Sequence, residues 1–347
     1  MIASAFTRYR AEALMLLAVA TLPAIDLLMP REMQFAVQFI PIFIFAILAL
    51  GLNVISGLCG LLNLGIAGFM AIGVYTFGIL TSEVYPFQIG FLPGVVAAMF
   101  TAGFAGLLIG VPTLRLRGDY LAIVTLAFGE IVQDLLRNLE VITKGSQGIN
   151  PLPRPLIFGV TLNADHPLLW YYLLLGIVVL AVVVCHNVER SPFGRAMLAI
   201  REDELAARCM GVTAVRVKLF AFVTGAVLAG LAGALWASYL DSTGEPGNYD
   251  FQLSILALCI IIIGGLGSTR GVLVGAALMV GFNSIALAKI STLLSTLGLA
   301  STSSIYASPN NWKYFIFGIA LIVMMRVRPQ GLLPTKLYRS DAGGDQA

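Results

Sequence analysis

Apolar runs long enough to cross a membrane follow one another along almost the whole chain. They fall at roughly 13–29, 33–52, 62–82, 91–112, 119–138, 168–186, 215–240, 251–267, 271–288 and 312–327. A helix crossing the hydrocarbon core of a bilayer needs about 20 such residues. Of the 347 residues 59% are hydrophobic, and the mean hydropathy is +0.91. A soluble protein of this size cannot hide so much apolar surface, so the expected class is an all-α polytopic membrane protein with about ten transmembrane helices. Residues 13–22 follow Arg8 and Arg10 as the core of a signal peptide would. No A-x-A site follows and a second apolar run begins at Met33, so a first span is expected there.

The charges orient the spans. With ten spans and both termini inside, fifteen of the 21 Lys and Arg residues fall on the cytoplasmic side and six outside. The cytoplasmic group is Arg8, Arg10, Arg115, Arg117, six residues of the 189–218 loop, Arg270, Arg326, Arg328, Lys336 and Arg339. The loop 241–250 holds Asp241, Glu245 and Asp250 and no basic residue, as an outside loop should. The net charge of +3 is small, and grouping in loops reads as topology and not as a nucleic-acid surface. The four cysteines lack metal or disulfide spacing.

Charge concentrates at 189–218, ERSPFGRAMLAIREDELAARCMGVTAVRVK. Ser191-Pro192 starts a turn, and Arg195 to Met210 contains neither Pro nor Gly, so one amphipathic helix ended by Gly211 is expected. On that helix Leu198, Leu205 and Cys209 share one face, and Arg201, Glu204 and Arg208 another. The stretch is either a topological anchor or a surface that docks on a soluble partner.

Two glycine-rich interruptions stand in the two halves. The first has Gly51, Gly57, Gly60, Gly65 and Gly68 with Asn53, Ser56 and Asn63; the second has Gly264, Gly265, Gly267, Gly271 and Gly275 with Ser268 and Thr269. Backbone that leaves the helix at membrane depth is tolerated only when buried in protein or lining a cavity. Broken or re-entrant segments on a substrate pathway are therefore one reading, with Asn53, Ser56, Gly57, Gly60, Asn63, Gly265, Gly267 and Ser268 as its residues. Close packing through small residues, or a tight turn at the second site, is the other. Rows Ala226/Gly230/Ala234 and Ala229/Gly233/Ala237 in the seventh span read as a close helix contact. Glu130 and Asp134 lie on one face of the fifth span, and Glu130, the deeper, either joins the pathway or pairs with Arg137. The Pro-rich segment 139–167 is an outside loop or lid, and the polar tail 335–347 is expected to be disordered.

There is no G-x-x-x-x-G-K-[ST] phosphate loop, and His166 and His186 lack partners for metal or nucleophilic chemistry. No catalytic residue and no metal site is expected. An ion-coupled secondary transporter or a passive channel also suits broken helices, but neither needs a cytoplasmic helix that receives force.

Glu204, Ala206, Ala207 and Gly211 resemble the EAA loop of ABC permeases, with Leu205 inserted and no Ile-x-Leu-Pro tail. ERSPFGRAMLAIREDELAARCMGV, RLRGDYLAIVTLAFGEI (115–131), GLNVISGLCGLLNLGIAGF (51–69), IIIIGGLGSTRGVLVGA (260–276) and RPQGLLP (328–334) together resemble LivM-type permeases of branched-chain amino-acid ABC importers. The resemblance implies one permease domain over 1–347 in a bacterial inner membrane. It implies a short cytoplasmic coupling helix, with Arg201, Glu202, Asp203, Glu204, Ala206, Ala207 and Gly211 meeting an ATPase. It implies a related second permease, two ATP-binding subunits that hold ATP and Mg, and a periplasmic or lipid-anchored binding protein. The solute would be a branched-chain amino acid; related permeases move urea, other amides or aromatic acids.

Overall fold

The computed structural model describes residues 35–113, 118–157, 160–161, 167–287, 313–328 and 330–333. The expected first span, Arg115 and Arg117, residues 291–311 and the polar tail lie outside these residues. The described chain is helical apart from loops and one two-residue hairpin, Leu156–Ile157 with Val160–Thr161.

The α-helices of six residues or more among the described residues are α1 (Phe35–Leu52), α2 (Ile66–Thr81), α3 (Phe91–Thr113), α4 (Asp119–Asn138), α5 (Pro167–Arg190), α6 (Pro192–Glu202), α7 (Glu204–Cys209), α8 (Ala214–Tyr239), α9 (Phe251–Gly264), α10 (Thr269–Gly281) and α11 (Lys313–Val327). Nine of the ten expected runs coincide with helices among the described residues. Five stretches, 37–58, 91–113, 167–190, 214–239 and 246–264, are long and apolar enough to cross a membrane by length and composition. α2 is shorter, at 16 residues, or about 24 Å. Residues 59–65 ahead of it are not helical.

α1 and α8 form the centre. In their most apolar stretches 78% and 67% of residues are buried, against 39% in α3 and 33% in α5. Small residues make this possible. A side chain on Gly230 would meet Ala102 Cβ at 2.5 Å and Ala98 O at 2.7 Å, both on α3, and one on Gly73 of α2 would meet Gly230 Cα at 2.6 Å. The small-residue rows of α8 therefore bring α2 and α3 against one helix, as their spacing predicted. Outside this centre α3 exposes Leu92, Val96, Phe100, Phe104 and Val111, an apolar face suited to lipid or to another apolar helix. Cys59, Cys185 and Cys259 are buried and Cys209 exposed, all as free thiols.

At one end of α8 lie α6 and α7, with Phe193 stacked on Phe220 at 4.7 Å between ring centres. At the other end, residues 241–249 are stitched to the segment after α4. Ile149 N–H donates to Thr243 Oγ1 at 2.7 Å, Leu152 N–H to Asp241 O at 2.9 Å, and Arg154 lies 3.6 Å from the Asp241 carboxylate. α8 has 26 residues, so these two ends are about 39 Å apart. Single cysteines at Ser191 and Ser242, in a cysteine-free background, are expected to react with an impermeant reagent from opposite sides of sealed vesicles. Labelling of both from one side would show that α8 does not cross.

Candidate functional site

The charged stretch folds as two helices where one was expected. Ser191 Oγ accepts from Gly194 N–H at 3.1 Å, with Pro192 in the first turn, so α6 starts on a standard cap. At Asp203 the backbone turns extended, with φ −152° and ψ 108°. Its carboxylate accepts from Leu205 N–H at 2.8 Å and Ala206 N–H at 3.0 Å, which starts α7. An acidic residue placed mid-helix thus acts as a cap, because a short carboxylate competes well for free amides. Gly211, at φ +87°, ends α7, and Val212 N–H returns to Ala207 O at 3.0 Å.

Leu205, expected to share a face with Leu198, is 69% exposed, and Met210 is 85% exposed. Met197, Ile200 and Ala207 are buried against the bundle, Ala207 at 5% exposure. Ala206, Glu202 and Asp203 are exposed. The apolar residues offered outward by α7 and the turn after it are therefore Leu205 and Met210.

α7 is pinned by charge. Glu204 Oε1 lies 2.9 Å from Lys218 Nζ and 2.6 Å from Arg208 Nη2. Lys218 is only 4% exposed, at the start of α8, and its ammonium needs a counter-charge there. Burial pushes the Glu204 carboxyl upward, but the hydrogen bond and charge of Lys218, with Arg208, outweigh it and hold the group below the ordinary 4.5. A depressed carboxylate contributes stability that is present above its unfolded-state value and lost as pH falls through the folded one. Glu204→Gln is expected to lower the stability of the detergent-solubilised protein at pH 7 by about 1–3 kcal/mol, since a buried ammonium loses its charged partner. Its loss of stability between about pH 5 and pH 3 should also be shallower than that of the wild type. Thermal melts of both proteins across that range measure this.

The two glycine-rich segments meet. α1 continues through Asn53–Leu58 as a π turn, with all six residues buried. The interruption thus begins at residue 59, later than Gly51 and Asn53 suggested, because the π turn keeps the chain helical. Asn53 Oδ1 accepts from Gly267 N–H at 2.8 Å, across the turn between α9 and α10. Arg201 Nη1, on α6, donates to Gly57 O at 2.5 Å. Ser56 Oγ donates to Leu61 O at 2.8 Å. In the second segment Gly265 and Gly267 form the tight turn and Ser268 caps α10, accepting from Gly271 N–H at 3.2 Å.

Beyond Gly60 the chain runs into the bundle. Leu64 N–H donates to Thr125 Oγ1 at 3.1 Å, Gly65 N–H to Asn63 Oδ1 at 2.8 Å, and Ala67 N–H to Ser254 Oγ at 3.1 Å. Three side-chain oxygens thus hold free amides at the start of α2. Asn63 is fully buried, and its Nδ2 has no hydrogen-bond partner among the described residues. A shallow crevice is lined by Leu64, Ala67, Glu130, Tyr249, Asp250 and Ser254 among others. Glu130 is exposed on α4, on the same face as Asp134. Arg137 pairs with Asp134 at 3.8 Å, one turn away, and not with Glu130 as spacing also allowed. Tyr249 and Ser254 were not singled out in the sequence, and Asp250 was read only as an acidic residue of an outside loop. Their polar groups sit in a loop and a first helical turn, which apolar periodicity does not mark.

The family described as "Branched-chain amino acid transport system / permease component" matches residues 35–325. This chain belongs to that permease family. The permease is 38% identical over 330 residues to the high-affinity branched-chain amino acid transport system permease protein LivM of Salmonella typhimurium, covering 88% of this chain and 72% of that protein. The same figures hold for the LivM protein of Escherichia coli. A probable LivM of Methanocaldococcus jannaschii is 23% identical over 247 residues, 70% of this chain and 69% of its own. No solved structure matches the permease.

Proposed function

We propose that the chain is the membrane-spanning subunit of an ATP-driven importer of branched-chain amino acids in a bacterial inner membrane, with both termini cytoplasmic. The observation that carries the reading is the α6–α7 pair. It stands at one end of the bundle, is anchored by Glu204 and Lys218, and turns Leu205 and Met210 outward. A carrier or channel has no use for such a projecting apolar surface, whereas an importer driven from outside its own chain needs one. ATP and Mg are held by two cytoplasmic partner subunits, a related second permease completes the membrane part, and a binding protein delivers the solute. ATP binding closes the ATPase pair, shifts α6 and α7, and biases the bundle between outward- and inward-open states.

The solute path runs along α4. Its exposed face holds Glu130 and Asp134 beside Ile123 and Ile131. A charged side chain facing lipid tails at the bilayer centre costs roughly 2.5–3.5 kcal/mol, so this face belongs on a watered path or against the second permease. The crevice by Glu130, Asp250 and Ser254 adjoins this face.

The test is reconstitution of the complete complex in sealed vesicles, with leucine, isoleucine and valine as solutes. Accumulation is expected only with ATP on the ATPase side and with binding protein on the other. Accumulation driven by a proton or sodium gradient without ATP would overturn the reading.

A further inference from the structure

We propose that Arg201 and Asn53 are positioning residues through which α6 moves the broken segment of the bundle. This rests on the importer reading above and adds the route by which force enters the membrane part.

The route is a chain of directional bonds between segments far apart in sequence. Arg201 lies on the last turn of α6, and its Nη1 donates to the carbonyl of Gly57, 144 positions away. Gly57 sits inside the π turn that ends α1. A π turn carries one residue more per turn than the flanking helix, so it takes up or releases a residue at modest cost, and such turns recur at functional sites. Four residues before Gly57, Asn53 Oδ1 accepts from Gly267 N–H at 2.8 Å. A Cβ on Gly57 would collide with that same Oδ1, and would stand 2.6 Å from Gly267 N. Glycine therefore leaves the room in which both bonds are made. The α9–α10 turn is held in its own right, since Leu332 and Leu333 N–H donate to Ile263 O at 2.9 Å and Gly264 O at 3.0 Å.

The arrangement has a consequence for motion. Gly60 lies against Arg201 Cγ, at 2.9 Å from where its Cβ would be, and has φ +71°. A displacement of α6 thus acts on the π turn through one hydrogen bond and one backbone contact. Asn53, only 3% exposed, passes the displacement to the α9–α10 turn. Residues 59–65, which follow directly, are tied to α4 and α9 only at Leu64 and beyond, through Thr125 and Ser254. A pull on the π turn therefore reaches the start of α2, next to the crevice that holds Glu130.

The test uses the complete reconstituted complex with Arg201→Ala, Arg201→Lys and Asn53→Ala. Leucine uptake and ATP hydrolysis are read together, and hydrogen exchange of residues 53–65 is followed with and without ATP. If the bonds transmit movement, Arg201→Ala and Asn53→Ala assemble and hydrolyse ATP, yet uptake per ATP falls by about 5- to 100-fold, the range of ordinary coupling free energies. Arg201→Lys, which keeps a charged donor, recovers part of the ratio. The ATP-dependent change in exchange at 53–65 is present in the wild type and absent in Arg201→Ala. A parallel fall of uptake and hydrolysis, or an unchanged ratio with an unchanged exchange response, would overturn the proposal. Should Asn53→Ala fail to assemble, the partly exposed Arg201 decides alone. A wild-type complex that takes up no leucine with ATP would overturn the importer reading instead, and the exchange response still decides the route.

Discussion

Gly57→Leu is expected to abolish solute uptake while the polypeptide still inserts in the membrane. The leucine Cβ would overlap Asn53 Oδ1 and approach Gly267 N to 2.6 Å. Both partners are buried and belong to backbone or to a short side chain, so neither moves aside freely. Overpacking of this kind typically costs about 1–3 kcal/mol, and more where rigid backbone is involved. The Asn53–Gly267 bond breaks as well, leaving an amide and a side-chain oxygen buried and unpaired, at about 1–3 kcal/mol for each such group. The effect falls where the two glycine-rich segments touch, so uptake should drop to background. Quantified membrane insertion and complex recovery accompany the uptake assay. Near wild-type uptake would mean that the two segments are free to separate.

The second large effect is expected at the outward side of α7. Met210→Asp and Leu205→Asp place carboxylates on residues that are 85% and 69% exposed. In the isolated permease such changes cost little, since exposed substitutions usually stay within about 0.5 kcal/mol. If the ATPase subunits cover these side chains, each carboxylate is desolvated in an apolar contact, and binding weakens by several kcal/mol. The double variant should therefore fold like the wild type, lose the ATPases on purification and transport nothing. Ala207→Trp is expected to fail differently. Ala207 is buried against its own bundle, so the indole displaces α7 and lowers the melting temperature of the permease before any partner is added. Thermal melts of the purified permease, beside pull-down of the ATPase subunits, separate the two cases. Full ATPase recovery by the double aspartate variant would make this loop a topological anchor only.

The sequence carried its strongest message where one physical signal spans many residues. Apolar runs of span length set nine helices to within a few residues among those described, because a bilayer leaves the backbone no other choice. The small-residue rows of α8 predicted its close contacts for a similar reason. Only Gly and Ala let backbones approach, so their spacing is itself the contact map of that face.

Reading by periodicity failed at Asp203. A run without Pro or Gly looks like one helix, yet a single carboxylate offered two amides a better partner than the ongoing helix did. Leu205 is 69% exposed while Leu198 packs against the core, although Met197, Ile200 and Ala207 keep the i, i+3, i+10 spacing of one buried face across the break.

At the candidate site the sequence supplied residue types, and the tertiary structure supplied partners. Asn53, Gly57 and Gly267 were legible as members of two unusual segments. That Asn53 and Gly267 bond to each other, 214 positions apart, has no local signature, since either amide would have been served as well by water or by its own turn. The same holds for Arg201 and Gly57, and for Glu204 and Lys218. A buried cation and a surface carboxylate become one pair only once α7 lies across the start of α8. Local physics, in caps, glycines and apolar length, determined what each segment is. Long-range packing decided which segments touch, because those bonds are made by groups whose own neighbourhoods give no preference among partners.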